Sequence, residues 1–170
     1  MIDMRINGAD ASADDAEAGT TLLDYLHETR RLTGTKLGCG IAVCRACTVA
    51  VSRHPGALLQ TALACSTTLE TLRGAEILTI EGVAPSANAL HPVQIAFLDA
   101  FAFQCGYCTP GFTMAALVLL DRLRLSPVAA ADVPPAIEDA IGDHVCRCTG
   151  YAGYHQALEG LIFSVAGLTI

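Results

Sequence analysis

Hydrophobic positions change their rhythm part-way along this chain. At the start, Ile2, Met4 and Ile6 alternate with Asp3 and Arg5, the two-residue period of a half-buried strand. Asn7-Gly8 comes next, a dipeptide suited to a type I′ hairpin turn, so a return strand is expected over Ala9–Ala13 although its own pattern is weak. Thr20-Thr21 offers an N-cap for a helix carrying Leu22, Leu23, Tyr25 and Leu26 and stopping near Gly34. TVAVS at 48–52 and EILTI at 76–80 read as further strands. The order fits a small sheet gripping one helix, with a long loop before the third strand.

From residue 91 onward the strand signal is almost gone. Pro92 begins a helix at the favoured first position, with Ile95, Phe97, Leu98 and Phe101 as its apolar content. Pro110 opens a second helix through GFTMAALVLLDRL; a short third is expected near 135–141 and a last one over about 154–163. Four helices with brief connections describe a small bundle. The turn-rich stretch at 82–90, GVAPSANAL, has no periodicity and marks a boundary. The fold class is therefore α+β, with one domain over 1–82 and a helical one over 83–170.

Composition sharpens this picture. The 170 residues are 52% hydrophobic with a mean hydropathy of +0.46. The longest apolar run, 112–120, is nine residues long and contains Thr113, well short of the roughly 20 residues that a membrane span needs. The excess belongs in a well-filled core or on a surface that another subunit covers. A formal charge of −7 argues against nucleic acid, which calls for a basic patch. The opening MIDMRINGAD lacks the basic and apolar regions of a signal peptide, so the expected location is the cytoplasm, or the periplasm only if an exported partner carries the chain there. Disulfides are rare in that reducing compartment, so its cysteines read as metal ligands.

There are eight, in two groups of four. Cys39, Cys44, Cys47 and Cys65 have the C-x4-C-x2-C…C spacing of plant-type [2Fe–2S] sites. Cys105 and Cys108 form C-x2-C, and Cys146 and Cys148 form C-x-C further on. The first loop has Gly38 and Gly40 on both sides of Cys39 and alanine at 42 and 46, and the second has Gly106 between its cysteines, as a backbone needs if it is to turn tightly and aim N–H groups at sulfur. The second loop runs straight into a helix N-terminus, which favours an anionic ligand. Structural zinc also accepts four cysteines, but its usual pattern is two short knuckles and not a three-cysteine loop. The histidines (His27, His54, His91, His144 and His155) have no ligand spacing among themselves and read as surface or capping residues. There is no nucleophile–base–acid set, P-loop or Rossmann fingerprint.

GCGIAVCRACTV, the TIEG stretch at 79–82, QCGYCTPG and CRCTGY resemble, in the same order, the iron–sulfur subunit of molybdenum hydroxylases. That family includes the xanthine dehydrogenases, aldehyde oxidoreductases and isoquinoline oxidoreductases. The resemblance implies a plant-ferredoxin-like β-grasp domain followed by a four-helix bundle, each holding one [2Fe–2S] cluster. It also implies a separate large subunit with a molybdopterin cofactor, expected in the cytosine dinucleotide form and touched at the subunit interface. Electrons would then pass to the helical-domain cluster, on to the ferredoxin-like cluster, and out to an FAD-binding subunit or a cytochrome. Gln104 matches the family glutamine that hydrogen-bonds the pterin, and Cys148 the cysteine that ligates iron and also touches the pterin. A free-standing redox carrier or sensor is the alternative function.

Two departures stand out. Arg45 takes the place of a glycine common in this loop; it would tune the potential, contact the acceptor, or simply be exposed. Ile41-Ala42-Val43 looks closer to the isoquinoline oxidoreductase branch, while CRCTGY is the widespread form, so the acceptor stays open.

Overall fold

The computed structural model describes residues 1–54, 56–86 and 88–170. Its first half holds a five-stranded mixed sheet: β1 (Ile2–Ile6), β2 (Ala9–Ala13), β3 (Thr48–Ser52), β4 (Gln60–Leu63) and β5 (Glu76–Leu78), in the order β2-β1-β5-β3-β4. The β1–β2 hairpin turns on Asn7 and Gly8, both left-handed at φ 51° and 80°, with Ile6 opposite Ala9. β1 runs parallel to β5, while β3 is antiparallel to β5 and β4. Ile2, Met4 and Ile6 all point into the core, as their alternation predicts.

The helix gripped by this sheet is shorter than the sequence predicts. Thr21 caps it by accepting the Asp24 N–H at 3.1 Å, and Leu22–Asp24 forms one α-turn, called α1. The backbone then widens into a π-helical turn, Tyr25–Thr29, which Arg30 ends by donating to the Tyr25 carbonyl. Arg31 is left-handed and Leu32 folds back, its N–H on the Leu26 carbonyl, so the chain leaves the helix before Gly34. β5 also stops early. Thr79 N–H donates to the Asn7 side chain instead of continuing the ladder, and a single 3₁₀ turn follows over Ile80–Gly82.

The second half holds α2 (Pro92–Asp99), α3 (Thr109–Leu125), α4 (Val133–Ile141) and α5 (Ala152–Ser164). Phe97, Phe112, Leu119, Tyr154, Leu158 and Ile162 fill their common core, with the Phe112 and Tyr154 rings stacked at 4.0 Å. Burying side chains of this size stabilises by roughly 1.5–3 kcal/mol each. On α2 the buried pair is Val93 and Phe97, four apart; Ile95 and Leu98 stay exposed on the other side, and Phe101, past the helix end, is exposed too. No helix among the described residues is long and apolar enough to cross a membrane.

The halves pack against each other along α3. β3 is buried on both faces: Val49 and Val51 join the sheet core, while Ala50 packs with Met114 of α3 and with Val83. This double burial is what brings the cysteine loop before β3 against the N-terminal end of α3. A Cβ on Gly111 would lie 2.5 Å from the Arg45 carbonyl oxygen, so only glycine permits that approach.

Candidate metal centres

The first cysteine loop, 38–47, is wound by three left-handed residues, Gly40, Ala42 and Arg45. The winding turns three peptide N–H groups onto one sulfur: Ile41, Val43 and Cys44 donate to Cys39 Sγ at 3.4, 3.4 and 3.3 Å. These N–H groups, with Cys44 foremost, bring the Cys39 thiol down to about 6. The Cys39 N–H in turn donates to Cys44 Sγ at 3.3 Å. Gly38 has to be glycine, because its Cβ would meet Cys44 Sγ at 2.6 Å. Cys47 lies at the start of β3, and burial pushes its thiol up to about 12 beside Cys65, which follows β4.

The second set comes from the loop before α3 and the loop before α5. Cys105 and Cys148 lie with sulfurs 3.6 Å apart on the exposed side. Cys108 and Cys146 form an inner pair. Burial raises the Cys108 thiol to about 11. For Cys146, burial also pushes upward, but the Thr149 hydroxyl and the Cys148 and Thr149 backbone outweigh it and lower the thiol. Thr149 Oγ1 lies 3.2 Å from Cys146 Sγ, and the Tyr151 hydroxyl accepts the Cys146 N–H at 3.2 Å.

The eight thiols thus stand in four pairs: Cys39 with Cys44, Cys47 with Cys65, Cys105 with Cys148, and Cys108 with Cys146. Among the described residues, no three His, Cys, Asp or Glu side chains converge on a single point as one ion would require. Pairs suit a two-iron cluster, in which each iron takes two cysteine sulfurs, and the N–H cradle around Cys39 suits an anionic one. The residues present fit the group.

Sequence reasoning missed several supporting side chains. Tyr154, which belongs to no obvious motif, puts its hydroxyl 2.8 Å from Thr109 Oγ1 and 3.8 Å from Cys108 Sγ. His144 is not a surface residue: it is 2% exposed, packs on Phe112 and lies 3.2 Å from the Thr48 hydroxyl. Its burial, with Arg45 nearby, lowers its pKa to about 4, so it is neutral at physiological pH. His91 does cap a helix, α2. TIEG proves to be a bracket: Thr79 and Asn7 exchange two hydrogen bonds, and Glu81 accepts from Gly34 N–H at 2.7 Å, tying the hairpin to the segment that leads into the first cysteine loop. Gln104 is exposed and, among the described residues, makes no hydrogen bond within the chain.

Fold and cysteine geometry together define a protein of two iron–sulfur domains, one ferredoxin-like and one helical. Comparison agrees: residues 4–70 match the "2Fe-2S iron-sulfur cluster binding domain" family and residues 79–159 the "[2Fe-2S] binding domain" family. Aldehyde oxidase 1 of Cavia porcellus is 41% identical over 150 residues, covering 86% of this chain and 11% of that protein. Quinoline 2-oxidoreductase from Pseudomonas putida 86 superposes with a TM-score of 0.76 at 29% identity, over 93% of this chain and 89% of that one. Aldehyde oxidoreductase from Desulfovibrio gigas gives 0.80 at 31% identity, over 100% and 18% respectively. The chain belongs, as a homologue, with the [2Fe–2S] domains of the aldehyde oxidase and xanthine oxidase family and of quinoline oxidoreductase. It spans about a tenth of the length of the aldehyde oxidases it matches.

Proposed function

We propose that this chain is the electron-transfer component of a molybdenum-dependent oxidoreductase, with the substrate site on a partner that carries the molybdenum–pterin. The carrying observation is the four cysteine pairs, two in each domain, packed across one junction. Cys39, Cys44, Cys47 and Cys65 hold one [2Fe–2S] cluster in the domain 1–82; Cys105, Cys108, Cys146 and Cys148 hold the other in 83–170. Each cluster, when bound, takes up and gives back one electron. The chain's own part is to fix the sulfurs, to stabilise their negative charge by N–H donors at Cys39, and to exclude water from the buried sulfurs Cys47 and Cys146. Gln104 and Cys148, both exposed beside the helical set, are the groups offered to the pterin. The acceptor, an FAD-binding subunit or a cytochrome, takes electrons from the ferredoxin-like side.

Iron and acid-labile sulfide analysis tests the reading directly. About four of each per chain are expected, with two distinct paramagnetic resonance signals on reduction. One zinc per chain, or half that iron with all cysteines intact, would refute it. Co-purification with a larger molybdenum-containing protein separates this function from that of a free-standing carrier.

A further inference from the structure

Arg45 follows Cys44 directly and is held at φ +58°, a left-handed conformation that glycine takes freely and an arginine adopts only at a cost. The compensating contact lies across the domain junction, where Arg45 Nη2 donates to Asp143 Oδ2 at 2.6 Å. Two residues past Asp143, the Val145 N–H donates to the Cys44 carbonyl oxygen at 3.1 Å. A third link stands beside these: the Thr48 hydroxyl donates to the Arg45 carbonyl at 2.7 Å and lies 3.2 Å from His144 Nε2. Residues 44–48 and 143–145 are thereby joined three times within a few ångströms, and each segment adjoins a cysteine of a different set.

The middle link gives a short chemical connection between the sets. From Cys44 Sγ the bonds run through its Cα and carbonyl, across the hydrogen bond to Val145 N, and through the next peptide to Cys146 Sγ. Everything is covalent but that one hydrogen bond. Electronic coupling drops most at a non-covalent gap, so its length and persistence govern exchange along this route.

We propose that Arg45 is a positioning residue for electron exchange between the two cysteine sets, its ion pair with Asp143 holding the Cys44 carbonyl against the Val145 N–H. This rests on the two-cluster reading above. In the step one centre is oxidised and the other reduced by a single electron; no bond is made or broken and no proton moves. The pair also argues against Arg45 as a contact for the acceptor, since its guanidinium is engaged inside the chain.

A charge-tuning role makes different predictions. Removing Arg45 leaves one more negative charge beside the first loop and removing Asp143 leaves one more positive, so tuning would shift the cluster potentials in opposite directions. Positioning has both variants slow exchange.

The test uses the full chain loaded with iron and sulfide, as wild type, Arg45→Gln, Asp143→Asn and the charge exchange Arg45→Asp with Asp143→Arg. Exchange between the centres is followed after a rapid one-electron pulse, together with both reduction potentials and hydrogen exchange at the Val145 amide. Each single variant is expected to slow electron exchange and speed Val145 amide exchange by about two- to fivefold, the scale of a partly exposed ion pair. The charge exchange should recover most of both. Wild type should show a similar loss between about 0.02 and about 0.5 M salt, where the screening length falls from about 20 to about 4 Å. Unchanged rates and amide exchange in both single variants overturn the proposal, as do opposite potential shifts that the rates simply follow. Should a variant lose its clusters, a salt-independent wild-type rate at constant potentials overturns it equally. A wild-type chain that takes up only two iron would instead strike at the two-cluster reading, before any variant is made.

Discussion

Replacing Gly111 by alanine sets two effects of known sign against each other. Gly111 is in the first turn of α3, and an alanine there gains at most about 0.8–1 kcal/mol of helix propensity. The same Cβ would lie 2.5 Å from the Arg45 carbonyl oxygen and 3.3 Å from the Cα and carbonyl carbon of Ala46. Those are backbone atoms between Cys44 and Cys47, and that loop cannot withdraw without moving both cysteines. A flexible side chain would yield; this loop does not. Forcing a methyl into a well-packed contact costs about 1–3 kcal/mol, and 2.5 Å from a backbone oxygen the upper part of that range applies, about 2–3, so Gly111→Ala should come out destabilised by about 1–2 kcal/mol. Gly160 is the internal control. It lies within α5, is exposed, and has no atom within 4 Å of the place a methyl would take, so Gly160→Ala should stabilise by about 0.8–1 kcal/mol. For a chain of this size each kcal/mol moves the melting temperature by about 2–4 °C, and equilibrium urea unfolding gives an independent measure. The variants should therefore separate in opposite directions from wild type. If Gly111→Ala proves as stable as wild type, or more so, the junction between the first cysteine loop and α3 is not tightly packed, and the steric reason for glycine at 111 falls with it.

Two further outcomes are expected. Gln104→Ala should change the stability of the chain by no more than about 0.5 kcal/mol, since its side chain is exposed, and leave both cluster spectra intact; in the assembled oxidoreductase it should cost about 1–3 kcal/mol of pterin binding, and wild-type molybdenum content would retire that role. His91 caps α2 by accepting the Val93 N–H on Nδ1 at 3.2 Å, and burial, with Arg124 nearby, lowers its pKa below the ordinary 6.5. Protonation removes the acceptor, so this contribution, about 1 kcal/mol, is complete above pH about 6.5 and is lost as pH falls through the lowered folded-state value. Hydrogen exchange over 91–99 should accelerate across that window in wild type, and an identical acceleration in His91→Ala would show that another group is responsible.

The cysteine groupings, which the structure brings together as pairs, were legible because their spacing is a local property, written within loops of a few residues. So was the β1–β2 hairpin, since Asn7-Gly8 dictates its own turn. What was not legible depended on partners far along the chain. β4, Gln60–Leu63, has exposed and half-exposed positions with no clean alternation, and becomes a strand by pairing with β3. EILTI was cut at Leu78 because the Thr79 amide found the Asn7 side chain, 72 residues away. The helix over 22–34 ended at its π-turn because Leu32 is drawn back to the sheet core. Of the four apolar residues read as the content of α2, only Phe97 is buried, with Val93 sharing the packing; Ile95 and Leu98 stay outside and Phe101 lies past the helix end.

Arg45 and His144 show why such misses gather at one place. By local rules an arginine at φ +58° is a poor choice and a histidine buried beside a cysteine loop is an unexpected one. Each is explained by a distant residue: Asp143, 98 positions from Arg45, and Thr48, 96 positions from His144. Two domains, each able to fill its own core, have no reason from their cores alone to hold one particular alignment. The proposed electron exchange does need one, because the route between Cys44 and Cys146 crosses a single hydrogen bond. Polar contacts are directional where apolar ones are not, so an ion pair and a buried hydroxyl–imidazole contact specify a register that packing of Ala50 against Met114 would leave loose. Sequences depart from local preference where function constrains them most, and here the departures lie on both sides of the junction that joins the two cysteine sets.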